Sequence, residues 1–101
     1  MITNSYAMNL NEEQLKSVEM LAYRLFTPSM VAIAVGVDEL DFVADVRIPG
    51  TPARIAFYKG YLQQQVETRE AIIKAARNGS NPAQIELLKF FKQMNQAIEY
   101  E

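Results

Sequence analysis

Apolar residues recur every three or four positions along most of this chain. Leu15, Val18, Leu21, Ala22 and Leu25 keep that spacing over residues 11–26, and Leu87, Leu88, Phe91, Met94 and Ile98 keep it over 82–100. Such a period puts each set on one face of an α-helix. Between these stretches, proline and glycine punctuate the chain. Thr27, Thr51 and Asn81 each stand directly before a proline. A side-chain acceptor followed by proline marks a helix start, because proline's fixed φ and missing N–H suit the first helical turn. Gly36 and Gly79 stand where helices should stop, since glycine takes the left-handed conformation there without steric cost. The pattern predicts five helices, at about residues 11–26, 28–35, 39–46, 52–78 and 82–100. Asn11 with Gln14, and Asn81 with Gln84, have the spacing of capping boxes, and Asp38 caps the third helix. The fourth helix would be about 40 Å long at its usual rise. Residues 43–48 alternate loosely and are the one segment that also reads as a strand. The expected fold is all-α: an N-terminal helix-turn-helix-like bundle over 1–50, then a long helix and an antiparallel C-terminal helix. Residues 51–101 would form a helical hairpin for oligomerisation within one compact unit.

Composition narrows the chemistry. Half of the 101 residues are hydrophobic, enough to drive folding. The chain contains neither cysteine nor histidine. Disulfides, thiolate metal sites and cysteine nucleophiles are therefore excluded, and the commonest general base is missing. The remaining carboxylates, lysines and tyrosines show no pair at a catalytic spacing, so neither an enzyme nor a cofactor is expected. Met30–Val35, closed by Gly36, is far short of the ~20 apolar residues that span a bilayer. With no basic, apolar leader at its start, the chain is expected in the cytoplasm, with no membrane partner.

The sharpest local signal lies in residues 30–42. A helix-turn-helix needs a small residue in its first helix, a glycine in the turn, and apolar residues beyond it to lock the crossing. Ala32, Gly36 and Val37 come in that order, with Phe42 and Val43 on the inner side of the next helix. An ordinary helical corner has the same ingredients. The third helix is acidic: Asp38, Glu39, Asp41 and Asp45 face only Arg47 in return. Carboxylates oppose phosphate, although first-turn acids also suit a helix N-terminus. Asp38, Asp41 and Asp45 share a face but offer too few converging oxygens for a hard cation, so no metal is expected. The fourth helix is basic, with Arg54, Lys59, Arg69, Lys74 and Arg77 against Glu67 and Glu70. Arg47, Arg54 and Lys59 are the candidate phosphate contacts on double-stranded DNA. Phe57, Tyr58 and Tyr61 sit beside Lys59 and could stack bases, but at helical spacing they fit a core or subunit contact better. Phe90 and Phe91 widen the apolar face of the fifth helix beyond what one antiparallel partner covers, which favours a homo-oligomer.

The order of these pieces resembles the bacteriophage terminase small subunits. Residues 32–38 (Ala-Ile-Ala-Val-Gly-Val-Asp) close a helical segment. Residues 56–60 (Ala-Phe-Tyr-Lys-Gly) lead a long helix, and residues 75–83 (Ala-Ala-Arg-Asn-Gly-Ser-Asn-Pro-Ala) turn into a helix bearing Leu88-Lys89. The resemblance covers about residues 12–95. It implies a non-catalytic protein of the bacterial host cell that binds viral DNA, self-assembles and works with a large terminase subunit. Carried over, DNA contact falls on Arg47 and the neighbouring bases, and assembly on Phe57, Tyr61, Leu62, Phe90 and Phe91. The acidic third helix departs from that pattern. A helix-turn-helix fold used as a protein-interaction module or a regulator is the alternative it leaves.

Overall fold

The computed structural model describes residues 7–101 and forms five α-helices: α1 Glu12–Tyr23, α2 Pro28–Val35, α3 Glu39–Val46, α4 Pro52–Arg77 and α5 Asn81–Tyr100. No strand occurs among the described residues; of the loosely alternating 43–48 stretch, residues 43–46 complete α3 and 47–48 enter the turn after it. The helix starts follow local side-chain chemistry. Asn11 and Gln14 form a reciprocal capping box on α1. Thr27 accepts the Met30 N–H, Asp38 accepts the Asp41 N–H, and Thr51 accepts the Arg54 N–H. Each bond satisfies a backbone donor that the helix itself cannot. At α5 the cap is Ser80, whose hydroxyl accepts the Ala83 N–H, so the helix begins one residue before the expected Pro82. Gln84 does not close a box there. Its amide donates instead to the Ala76 carbonyl of α4.

Three helices end in the same turn, in which the N–H two residues past the last helical carbonyls reaches back five positions. Val37 N–H donates to Ala32 O after Gly36, and Ser80 N–H to Ala75 O after Gly79. The third case is α1, where Phe26 N–H donates to Leu21 O, so the helix stops at Tyr23 rather than at residue 26. Its left-handed residue is Leu25, at φ 71°, where the other two helices use glycines at 87° and 96°. A leucine in that conformation costs about 1 kcal/mol.

The chain divides into two compact units, the first closing at Gln65 and the second running Val66–Glu101. The first holds the core. Val18 and Ala22 of α1, Val31 and Ala32 of α2, Phe42 and Val46 of α3, and Ala53, Ala56 and Phe57 of α4 are buried together with Leu10. Phe42 is the largest side chain fully enclosed there. Gly60 of α4 is buried against α1 so closely that a Cβ at this position would fall on the Glu19 carbonyl. In the second unit, Gln84 reaches Ala76, and the Arg69 guanidinium lies 4.2 Å over the Phe90 ring, so α5 doubles back along the end of α4. Nothing in α5 is buried, and Ala76 is the buried position of the α4 segment that faces it.

Gly60 gives a direct check of the α1–α4 contact. In an open helix, Gly→Ala stabilises by about 1 kcal/mol. Here the obstacle is backbone that cannot rotate away, and overpacking of that kind costs about 1–3 kcal/mol. Gly60→Ala should therefore lower the denaturation midpoint in a urea titration. A midpoint equal to or above the wild-type value would show that α1 and α4 do not approach this closely.

Candidate nucleic-acid interface

The site is assembled where α3 ends and α4 begins. Asp45 is the penultimate residue of α3, is 5 % exposed, and accepts the Met8 N–H at 2.6 Å. The Thr51 side chain, 1 % exposed, donates its hydroxyl toward the carbonyls of Asp45 at 2.6 Å and Ile48 at 3.1 Å. The same oxygen accepts the Arg54 N–H at 3.2 Å and so caps α4. Arg54 returns across the turn, where its Nη1 donates to the Val46 carbonyl at 2.7 Å and its guanidinium lies 4.6 Å over the Tyr58 ring. A cation on the carboxyl end of α3 also suits that helix's dipole. These contacts tie the start of α4 to the end of α3, with Arg54 held on the carbonyl of Val46, the residue before the C-cap Arg47.

The predicted phosphate contacts have different fates. Arg47 and Lys59 are exposed, whereas Arg54 is half-buried and occupied by Val46 and Tyr58. Five positions along a helix is a turn of about 140°, so Lys59 points away from the Arg54 side of α4. The structure thus holds Arg54 on the residue that precedes Arg47 and leaves Lys59 on a different face of α4. The acidic face of α3 is also smaller than the sequence suggests. Asp45 is inside, tied to Met8, and takes no part in surface repulsion. Asp38 accepts the Asp41 N–H as a cap, and Glu39 and Asp41 stand exposed in the first turn. Burial of Asp45 also dissolves the shared carboxylate face, and no metal-ligating cluster occurs among the described residues.

The residues assigned to assembly separate as well. Phe57 is 8 % exposed and belongs to the core of its own chain, so it is not available to a second one. Tyr61 is half-buried at the margin of that core. Leu62 and Phe91 are more than half exposed, and Phe90 is engaged by Arg69. Phe57, Tyr58 and Tyr61 form an edge-to-face series, with centroids 5.8 Å and then 6.3 Å apart. That geometry favours packing among the rings themselves over a free stacking platform. Within the glutamine run, Gln64 donates to the Tyr23 carbonyl at the end of α1 and Gln65 to the Tyr61 hydroxyl, so this side of α4 is not simply solvated.

Asp41 and Asp45 should respond differently to loss of charge. Asp45→Ala leaves the Met8 N–H without its acceptor and should cost about 1–3 kcal/mol of stability. Asp41→Asn touches only an exposed first-turn carboxylate and should change stability by a few tenths of a kcal/mol. Parallel thermal melts of the two variants check the assignment, and equal melting temperatures would place Asp45 at the surface.

Compared with family models, with curated proteins and with solved structures, the chain finds no match in any of the three.

Proposed function

We propose that this chain is a non-catalytic, self-assembling duplex-DNA-binding protein of the terminase small-subunit kind. In that role it marks viral DNA for packaging, and a separate large subunit carries the ATPase and nuclease. The observation that carries the reading is the bare face of α5. Ile85, Leu88, Phe91, Met94 and Ile98 are each more than half exposed, on a helix with no buried residue. Together these side chains offer an area on the order of 600 Å², the upper end of a monomer's largest patch and near the ~800 Å² that each partner gives to a standard interface. Such a face costs too much in water to be left uncovered at working concentration, and copies of the same chain are the cover always present. DNA contact rests on Arg47, with Arg54 held on the residue before it, and on Lys59 from the next face of α4.

A second reading is favoured by one feature of α3. Between the exposed carboxylates of Glu39 and Asp41 stands Leu40, 81 % exposed. An apolar residue framed by acids suits a protein partner better than a phosphate backbone, so the α2–α3 pair as an interaction module is the alternative.

Two measurements separate these readings. Wild-type protein should sediment above the mass of one chain, and Phe91→Asp should shift it to smaller species, since the new charge would be buried without a partner. A wild type that stays monomeric at high concentration removes the assembly claim. For DNA, affinity for a random duplex should fall steeply with salt. Arg47→Ala and Lys59→Ala should each lower the log–log slope by about one unit, as for one lost phosphate contact. No binding even at low salt transfers the function to the interaction-module reading.

A further inference from the structure

Resting on the interaction reading of the α2–α3 pair above, we infer that the outward face of α3 docks a basic amphipathic segment of another protein. The face follows from the phase of the helix. Phe42, Asp45 and Val46 are buried, and Leu40, Ala44 and Arg47 form the exposed line on the opposite side. Leu40 leads that line at 81 % exposure. Glu39 and Asp41 lie about 100° to either side of it and are exposed as well. The helix dipole accounts for acids in a first turn, but not for a bare leucine between them. Against α3 packs α2, which has no charged residue and leaves Ile33 67 % and Met30 54 % exposed.

The occupant follows from charge. Residues 25–46 contain no lysine or arginine, and their carboxylates are Asp38, Glu39, Asp41 and Asp45. Asp45 is withdrawn to Met8 and Asp38 caps α3, which leaves the side chains of Glu39 and Asp41 without an ion pair among the described residues. Phosphates and acidic proteins are repelled at this face. A complementary partner brings an apolar side chain for Leu40 and a base for each flanking carboxylate. A helix with leucine-like residues along one stripe and lysine or arginine at its edges meets both demands. Arg47 sets the far limit of the site. It stands on the same line, about 10 Å further along the axis, and repels a basic segment that runs past it. Because Arg47 is also the duplex contact proposed above, the two ligands make opposite demands on one helix.

A labelled helical peptide made of leucine and lysine is the probe, and fluorescence anisotropy reads its binding. Wild-type protein should bind it, and more tightly at low salt. Leu40→Ala should weaken binding about tenfold, as for one leucine side chain withdrawn from an interface. Glu39→Gln combined with Asp41→Asn should weaken it at low salt and flatten its salt dependence. All three positions are exposed, so circular dichroism should match the wild type. Arg47→Ala should leave peptide affinity equal or higher, and Phe91→Asp, on α5, should leave it unchanged. A peptide with serine in place of leucine that binds as well reports charge attraction alone and overturns the inference. Loss of binding in Phe91→Asp does so too, since it puts the peptide on α5. If Leu40→Ala weakens duplex DNA as much as the peptide, α3 is a nucleic-acid face and the inference is again overturned. If a peptide with glutamate in place of lysine binds through Leu40 instead, the interaction reading stands and the basic partner is wrong. If neither peptide depends on Leu40, both fall.

Discussion

The Thr51 hydroxyl is the constraint on which the first unit depends. It is buried, and it engages one carbonyl at the end of α3, one in the turn that follows and one N–H at the start of α4. A buried hydroxyl without partners would cost several kcal/mol in an apolar surrounding, so the turn can close only in the geometry that satisfies it. Asp45 lies in the same turn and draws in Met8, and Arg54 then covers the Val46 carbonyl. Core packing supplies most of the stability here, through Phe42, Val18 and Val31. The polar cluster supplies the angle. Apolar contact alone tolerates several crossings of short helices, whereas paired donors and acceptors tolerate few.

What can be read from the residues follows from how local each interaction is. The caps at Asn11, Thr27, Asp38 and Thr51 act within three residues, and the amino-acid order alone makes all four legible. The glycine stops at Gly36 and Gly79 are legible for the same reason. At α5 the residue pattern points one position too late, because Ser80 and Asn81 are both good capping residues and proline is accommodated at either of the first two helical positions. Asp45 is not legible. Its partner, Met8, lies 37 residues away, and nothing in the acidic run 38–45 distinguishes the carboxylate that turns inward. A signal does exist for the α1–α4 contact: Gly60 sits inside a long helix, where glycine is costly unless another backbone comes close.

The candidate site is legible in part. Exposure of Arg47 and Lys59 agrees with residues placed by charge alone. The intramolecular work of Arg54 is hidden, because a guanidinium in the first turn of one helix looks the same in sequence whether it faces solvent or closes the end of another helix. Aromatic residues pose the same difficulty. Phe57, Tyr58 and Tyr61 are close neighbours in the sequence, yet one is core, one is surface and one is marginal. Spacing assigns residues to faces, but the depth of each face is set by the helices laid against it.

Leu25 carries a consequence for how this chain can change. A single substitution to glycine would relax the α1 turn, and selection for stability alone would be free to make it. A leucine there sets backbone comfort against side-chain use: glycine would relax the turn but take away a wall of the groove that Leu25 lines with Phe26, Phe57, Tyr58 and Tyr61. Positions of this type set an evolutionary brake, since a gain in robustness is open to them only at the loss of a surface side chain.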